Sequence, residues 1–393
     1  MEEKQKRIYL DYGASTPVAP EVFEAMSPFL KNEWGNPVSL HKEGVTAKNA
    51  ITSARGIIAS EIGAHSDEII FTSNGTEGNN MAIMGVFNRL LEEGMAPADM
   101  HFITSAIEHP SVLDVFGYLE KSRGVNVDYI GVTSEGIFDI DEFRRKITAK
   151  TNLVSVMMVN NEIGTIQPIL EIGKIILEKK KENGGTDSAP YFHTDASQAM
   201  FFNKIDVEKL HVDFLTMDAQ KIYGPKGVGA LFIKRGVVIS ALIRGGRQER
   251  GLRAGTENVP GIVGMGKAFE LMALQREPES LRLLELRNYF IQEVGQEIPK
   301  ARINGGLDNR LPNNINLSIP GFESEFLALQ LDAIGIAVAT RSACIQVGSG
   351  SYVVRALGKD ETETTSTLRF TMGKYTTKDD VDCAISALKK ITK

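Results

Sequence analysis

The residues best suited to chemistry lie where apolar runs give way to turns. Lys221 follows the run Phe214–Met217 and precedes a turn rich in glycine and proline, in DFLTMDAQKIYGPKG. A lysine desolvated there loses basicity and becomes a Schiff-base nucleophile; on the surface it would be an ordinary charge. Asp195 closes the run in YFHTDASQ, where a carboxylate can pair with a protonated ring nitrogen or cap a helix. His109 follows the run at 101–105; a histidine there offers a flat ring for stacking and a proton carrier near neutral pH, or a structural hydrogen bond. In FTSNGTEGNN, Gly75 and Thr76 open a helical pattern whose free N–H groups can cradle a phosphate, or form a simple turn and cap. Cys344 precedes a Gly/Ser-rich stretch in RSACIQVGSGSY, a setting for a thiol nucleophile that must travel. Arg369 in TLRFT can grip a carboxylate through two parallel hydrogen bonds.

The elements that must hold these residues follow from the hydrophobic pattern. Short apolar runs at Glu68–Thr72, His101–Thr104, Val125–Tyr129, Leu153–Val159, Tyr191–His193, Phe214–Met217 and Val228–Ile233 alternate with helical patterns. In the helical pattern after Thr76, Met81, Met84, Phe87 and Leu91 share one face. Such alternation predicts an α/β fold, a mostly parallel sheet with helices on both faces and its ligand at the carboxyl ends of the strands. After Thr256 the texture changes: a helical pattern over Pro260–Glu297 broken near Pro278, a strand at Asn314–Ser318, a helix at Glu323–Ala333 and a closing helix from Thr377. We expect an N-terminal arm over 1–18, a large domain over 19–258 and a smaller α+β domain over 259–393 that carries the Cys344 loop.

With 393 residues and a net charge of −6, the chain lacks the basic excess that stable nucleic-acid binding needs. Two cysteines are too few for a disulfide framework, and the six histidines show no metal-ligand spacing, so no metal site is expected. Cys383 lies among Val381, Ala384, Ile385 and Leu388 and is expected to pack half-buried in the last helix. GIVGMGKA at 261–268 approaches a nucleotide-binding loop, but Ala268 stands where a hydroxyl should bind magnesium and no strand leads in. The charged start MEEKQKRIYLDYG and the lack of a long apolar stretch point to a cytoplasmic protein without a membrane span.

Taken in order, YLDYGASTPV, GNPVSLHKEG, FTSNGTEGNN, VNNEIGTIQPI, HTDASQ, KIYGPKGVGAL, RGLRAGTEN, the cysteine segment and LRFTMGKYTT resemble the cysteine desulfurases (NifS/IscS-like), in the class V aminotransferase-like group of fold-type I pyridoxal phosphate (PLP) enzymes. The resemblance implies PLP bound to Lys221, its ring nitrogen paired with Asp195 and its ring stacked by His109, which also shuttles a proton. It implies Gln198 near the ring oxygen, Asn161 positioning cofactor and substrate, Gln220 beside the lysine, and Gly75 and Thr76 around the phosphate. Thr256 would reach the phosphate of a second subunit in a homodimer, Arg369 would bind the carboxylate of L-cysteine, and Cys344 would carry the sulfur as a persulfide. An acceptor protein serving iron–sulfur assembly or tRNA thiolation would take it. The chain departs from the family at Gln220, where histidine is usual, at Asp218, where a serine is usual, and at Arg341, where a small residue is usual. Two other readings are a PLP-dependent cysteine or selenocysteine C–S lyase, which would not need Cys344, and a weakly catalytic scaffold in sulfur transfer.

Overall fold

The computed structural model describes residues 7–185, 188–340 and 350–393. Strand β1 (Ile8–Tyr9) comes first. Seven strands then form one sheet: β2 (Ile69–Thr72), β3 (His101–Ser105), β4 (Asn126–Ile130), β5 (Thr151–Ser155), β6 (Tyr191–Asp195), β7 (Phe214–Asp218) and β8 (Gly229–Ile233). Four more follow: β9 (Arg302–Ile303), β10 (Asn314–Ser318), β11 (Ile336–Ala337) and β12 (Thr367–Thr371). The large sheet runs β2-β8-β7-β6-β5-β3-β4. Its contacts are parallel from β7 through β4, while β8 lies antiparallel to both β7 and β2.

Strands β2, β5, β7 and β8 are buried at every residue. That is the pattern of a sheet covered on both faces, and the period-2 alternation of strand side chains sorts its residues into two cores. Ile69, Phe71, Ile103, Val154, Leu215 and Phe232 enter one, against helices 42–61 and the start of 259–297. Ile70, Phe102, Leu153, Phe214 and Leu231 enter the other, with Met81, Phe87 and Phe116 from the helices Gly75–Glu92 and Pro110–Tyr118. Met84 and Leu91 pack against this second core as the helical spacing predicts.

A third core joins Leu10, Phe290, Leu317, Leu331, Phe370 and Leu388 around the small antiparallel sheet β12-β10-β9. Strand β1 pairs with β11 beside it. The expected break at Pro278 is absent: one helix runs Val259–Glu297 through the proline. Its first half is fixed in the large core by Ile262, Met265 and Phe269 and its second half in the small core by Leu283, Phe290 and Val294. Packing at both ends thus outweighs the one backbone hydrogen bond a proline removes. Cys383 is exposed rather than half-buried. Val381, Ala384, Ile385 and Leu388 follow the 3–4 residue spacing of one helix face, and position 383 falls on the opposite side. Among the described residues no helix is long and apolar enough to cross a membrane.

Candidate active site

The chain leaves four neighbouring parallel strands on the same edge of the sheet, and their carboxyl ends converge on one pocket of about 250 Å³. Strand β3 leads to His109, β5 to Met157, Val159 and Asn161, β6 ends at Asp195, and β7 ends at Asp218 with Lys221 three residues on. Gly75 and Thr76 open the 75–92 helix on one wall, and Gly13, Ala14 and Arg369 close the other. Gathering ligand groups at the carboxyl edge is what an open parallel sheet does.

Lys221 ends a short helical turn, Ala219–Lys221, and its Nζ donates to the carbonyls of Gly13 at 2.8 Å and Ala14 at 2.7 Å. Burial pushes its pKa below the ordinary lysine value, with Arg369 adding to the effect and Asp218 and Asp195 opposing it. Asp195 is held from two sides: the N–H of Ser197 donates to Oδ1 at 2.9 Å and Asn79 Nδ2 donates to Oδ2 at 2.7 Å. Asn79 Nδ2 also donates to Ser111 Oγ at 2.8 Å, and Ser111 Oγ lies 2.8 Å from His109 Nδ1. The backbone N–H of Ser111 donates to the same Nδ1 at 3.1 Å, so the neutral ring keeps its proton on Nε2. Burial lowers the His109 pKa, aided by Lys221 and Arg369 and opposed by Asp195 and Asp114, which favours that neutral ring.

Arg369 sits in the middle of β12, 3% exposed. Its Nη1 donates to the Asn161 carbonyl at 2.9 Å and its Nη2 to Asp11 at 2.7 Å. Gln198 Nε2 donates to Gly13 O at 2.9 Å. Gln220 donates through its backbone N and its Nε2 to Asp218, at 3.2 and 3.0 Å. Asp218 Oδ2 also accepts the Gly75 N–H at 3.2 Å.

The eleven expected site residues therefore divide as follows. Lys221, Asp195, His109, Gly75, Thr76, Asn161, Gln198, Gln220 and Arg369 line one pocket, while Thr256 is exposed and does not line it. Cys344 and Arg341 lie outside the described residues. The sequence reading passed over Asn79, Ser111, Ser197 and the Gly13 and Ala14 carbonyls. Asn79 had a readable signal: it is a fully buried amide inside an apolar helix face, which demands partners. Among the described residues no group of three His, Cys, Asp or Glu could hold a metal ion.

The pocket fits a flat, phosphorylated aldehyde. It offers an anionic floor in Asp195, a desolvated amine in Lys221 and a helix start at Gly75, where a Cβ would come within 3.0 Å of Ser197 Oγ. The buried Oδ1 of Asn161 has no hydrogen-bond partner within the protein, which suits a group that docks a ligand. One residue sits against this fit: Asp218 already takes the Gly75 N–H.

The class-V aminotransferase family model matches residues 8–383, and the chain belongs to this family, whose members are PLP enzymes. Its similarities fall among the cysteine desulfurases of that family. It is 47% identical over 388 residues to "Cysteine desulfurase IscS" of Dictyoglomus turgidum, covering 98% of this chain and 95% of that one. It is 43% identical over 389 residues to "Cysteine desulfurase IscS" of Methanosarcina thermophila, covering 99% and 92%. A solved "NifS-like protein" superposes with a TM-score of 0.90 at 34% identity, covering 98% and 99%. The solved "SspA in complex with cysteine" superposes with a TM-score of 0.79 at 35% identity, covering 95% and 100%.

Proposed function

We propose that this chain is a PLP-dependent cysteine desulfurase that takes sulfur from L-cysteine, releases L-alanine and leaves a persulfide on Cys344. The observation that carries the reading is the convergence of Lys221, Asp195, His109, Asn161 and Arg369 on one pocket. It is supported by relatives named cysteine desulfurase and by the likeness to a solved structure that holds cysteine.

PLP, when bound, supplies an electron sink for the carbon next to the substrate's amine. Lys221 would provide the amine that holds the cofactor, and the same amine would move the substrate's Cα proton. Its lowered pKa suits both tasks, because the amine must be neutral to act. Asp195 keeps a ring nitrogen protonated, with Asn79 and Ser197 fixing the carboxylate. His109, whose Nδ1 accepts the Ser111 N–H, would stack on the ring and would offer its Nε2 proton to the reacting centre. Asn161, Gln198 and Gln220, which line the pocket, would orient cofactor and substrate, and Gly75 and Thr76 at the helix start would hold the phosphate. Arg369 binds the substrate carboxylate, which would share the guanidinium with Asp11. The Cys344 thiolate attacks the substrate's sulfur; an S–S bond forms as the Cβ–S bond breaks, and the Cβ takes a proton. An acceptor protein in iron–sulfur assembly or tRNA thiolation then receives the sulfur.

The same reading makes the enzyme a cytoplasmic homodimer in which Thr256 reaches the partner's phosphate. It assigns an arm to 1–18, cofactor binding to 19–258 and the Cys344 segment to a domain over 259–393. The test adds PLP and L-cysteine to the purified protein and follows absorbance, alanine and sulfide. A Schiff-base band that is lost in Lys221→Ala, and alanine formation that collapses in Cys344→Ala, are the expected results. Turnover that survives Cys344→Ala marks a lyase instead, and a protein that never takes up PLP leaves only a scaffold role.

A further inference from the structure

The N–H of Gly75 begins an 18-residue helix, where free N–H groups and the helix dipole favour an anion. The chain has already placed an anion there. Asp218 Oδ2 accepts that N–H at 3.2 Å, and Gln220 clamps the same carboxylate through its backbone N and Nε2 at 3.2 and 3.0 Å. Asp218 is 6% exposed, so water screens it little. A phosphate ester seated at this helix start meets a fixed carboxylate.

The other charged groups of the pocket give a phosphate dianion little compensation. Lys221, on the same turn as Asp218, is engaged by the cofactor's aldehyde in the function proposed above. His109, from the turn after β3, is held toward its neutral form by burial. Asp195, at the end of β6, adds negative charge, and Arg369, from β12, is paired with Asp11. Glu77, in the first turn of the helix, is paired with Arg253. Among the described residues that line the pocket, no further cation faces the helix start.

We propose that this pocket takes the phosphate ester as its monoanion, with the phosphate O–H donating to Asp218, so that cofactor binding consumes a proton. The proton comes from solvent and goes to a phosphate oxygen; the separate condensation of the aldehyde with Lys221 forms the C=N bond, releases water and is common to PLP and pyridoxal. The inference rests on the PLP reading. A free phosphate ester has its second ionisation near pH 6, so the dianion that prevails above that pH must be protonated to enter.

The experiment titrates the apoprotein with PLP and with pyridoxal, which lacks the phosphate, from about pH 5.5 to about pH 8.5, following Schiff-base absorbance. Titration of Lys221 affects both aldehydes alike, so the ratio of their dissociation constants isolates the phosphate. In the native chain the advantage of PLP over pyridoxal should fall about tenfold per pH unit above about pH 6. In Asp218→Asn, which keeps the shape and the contact with Gly75, the advantage should be flat across this range. It should also exceed the native value about 100-fold at about pH 8, two decades above the ionisation. Asp218→Ser serves as a second variant should the asparagine chain fold poorly, and should give the same flat profile. A flat native ratio, or the same slope in native and variant chains, overturns this inference and leaves the PLP reading standing. No absorbance band with either aldehyde overturns both.

Discussion

Replacing Glu249 tests how the edge of the large sheet is held beside the segment that carries Thr256. Strand β2 is an edge strand, and an edge leaves backbone N–H groups without strand partners. Glu249 Oε2 accepts the N–H of Phe71 at 2.8 Å, while its two oxygens take the Arg55 guanidinium at 2.8 and 2.6 Å. The Glu249 side chain is 3% exposed and that of Arg55 18%. Breaking a buried pair costs about 3–5 kcal/mol, because the surviving charge is stranded. Arg55 keeps the Ile69 carbonyl at 2.6 Å and reaches some water, so Glu249→Ala should cost the lower figure, about 3 kcal/mol. The backbone provides an internal control. Glu249 has φ 44, in the left-handed region that costs an L-residue about 1 kcal/mol and a glycine almost nothing. Glu249→Gly should therefore lose about 1 kcal/mol less than Glu249→Ala. Urea unfolding measures both differences, and amide exchange at Phe71 reports the lost acceptor directly. Glu249→Ala within about 0.5 kcal/mol of the native chain, unchanged protection at Phe71, or a glycine variant weaker than the alanine one would refute the account.

Three further outcomes follow from the buried charges. Glu108 is fully buried with Oε1 accepting from Met157 N at 2.7 Å, and burial holds its pKa well above 4.5. A carboxyl whose folded pKa is raised stabilises most below its unfolded pKa and less as pH rises. The native chain should therefore lose stability relative to Glu108→Gln as pH climbs above about 4.5, seen by unfolding at several pH values; parallel profiles would contradict the shift. For His109, nitrogen NMR of the apoprotein should show a neutral ring protonated at Nε2 at neutral pH, with a titration midpoint below 6.5; a ring protonated at Nδ1 would break the Ser111 arrangement. Lys180 Nζ meets Asp213 Oδ1 and Oδ2 at 2.7 and 2.6 Å, with side chains 3% and 1% exposed. Lys180→Met should cost about 3–5 kcal/mol, and adding Asp213→Asn should recover part of it; simple additivity would show that the two groups act independently.

Much of the site was legible because an α/β chain displays it locally. Strand ends are marked in the sequence by apolar runs that stop, so Asp195, Lys221 and His109 could be assigned to one edge of one sheet before any contact was known. The strand expected over Leu153–Val159 ends at Ser155, yet Val156 N and Met158 N still donate to His193 O and Asp195 O. That apolar run continues because Met157 and Val159 line the pocket itself, and hydrophobicity cannot distinguish a strand from a buried pocket wall. Arg369 could be singled out by type, but not its partner Asp11, 358 positions away.

The sequence by itself determined the alternation of elements, the edge on which chemistry would gather and the amine and carboxylate that line the pocket there. These rest on periodicity and on short-range turn chemistry, which are encoded within a few residues. Only the tertiary structure decided that Asn79 would tie Asp195 to Ser111, that Gly13 and Ala14 would receive Lys221, and that Asp218 would occupy the helix start at Gly75. Each is a hydrogen bond between residues far apart in sequence, and its strength depends on a separation of about 3 Å that no spacing along the chain specifies.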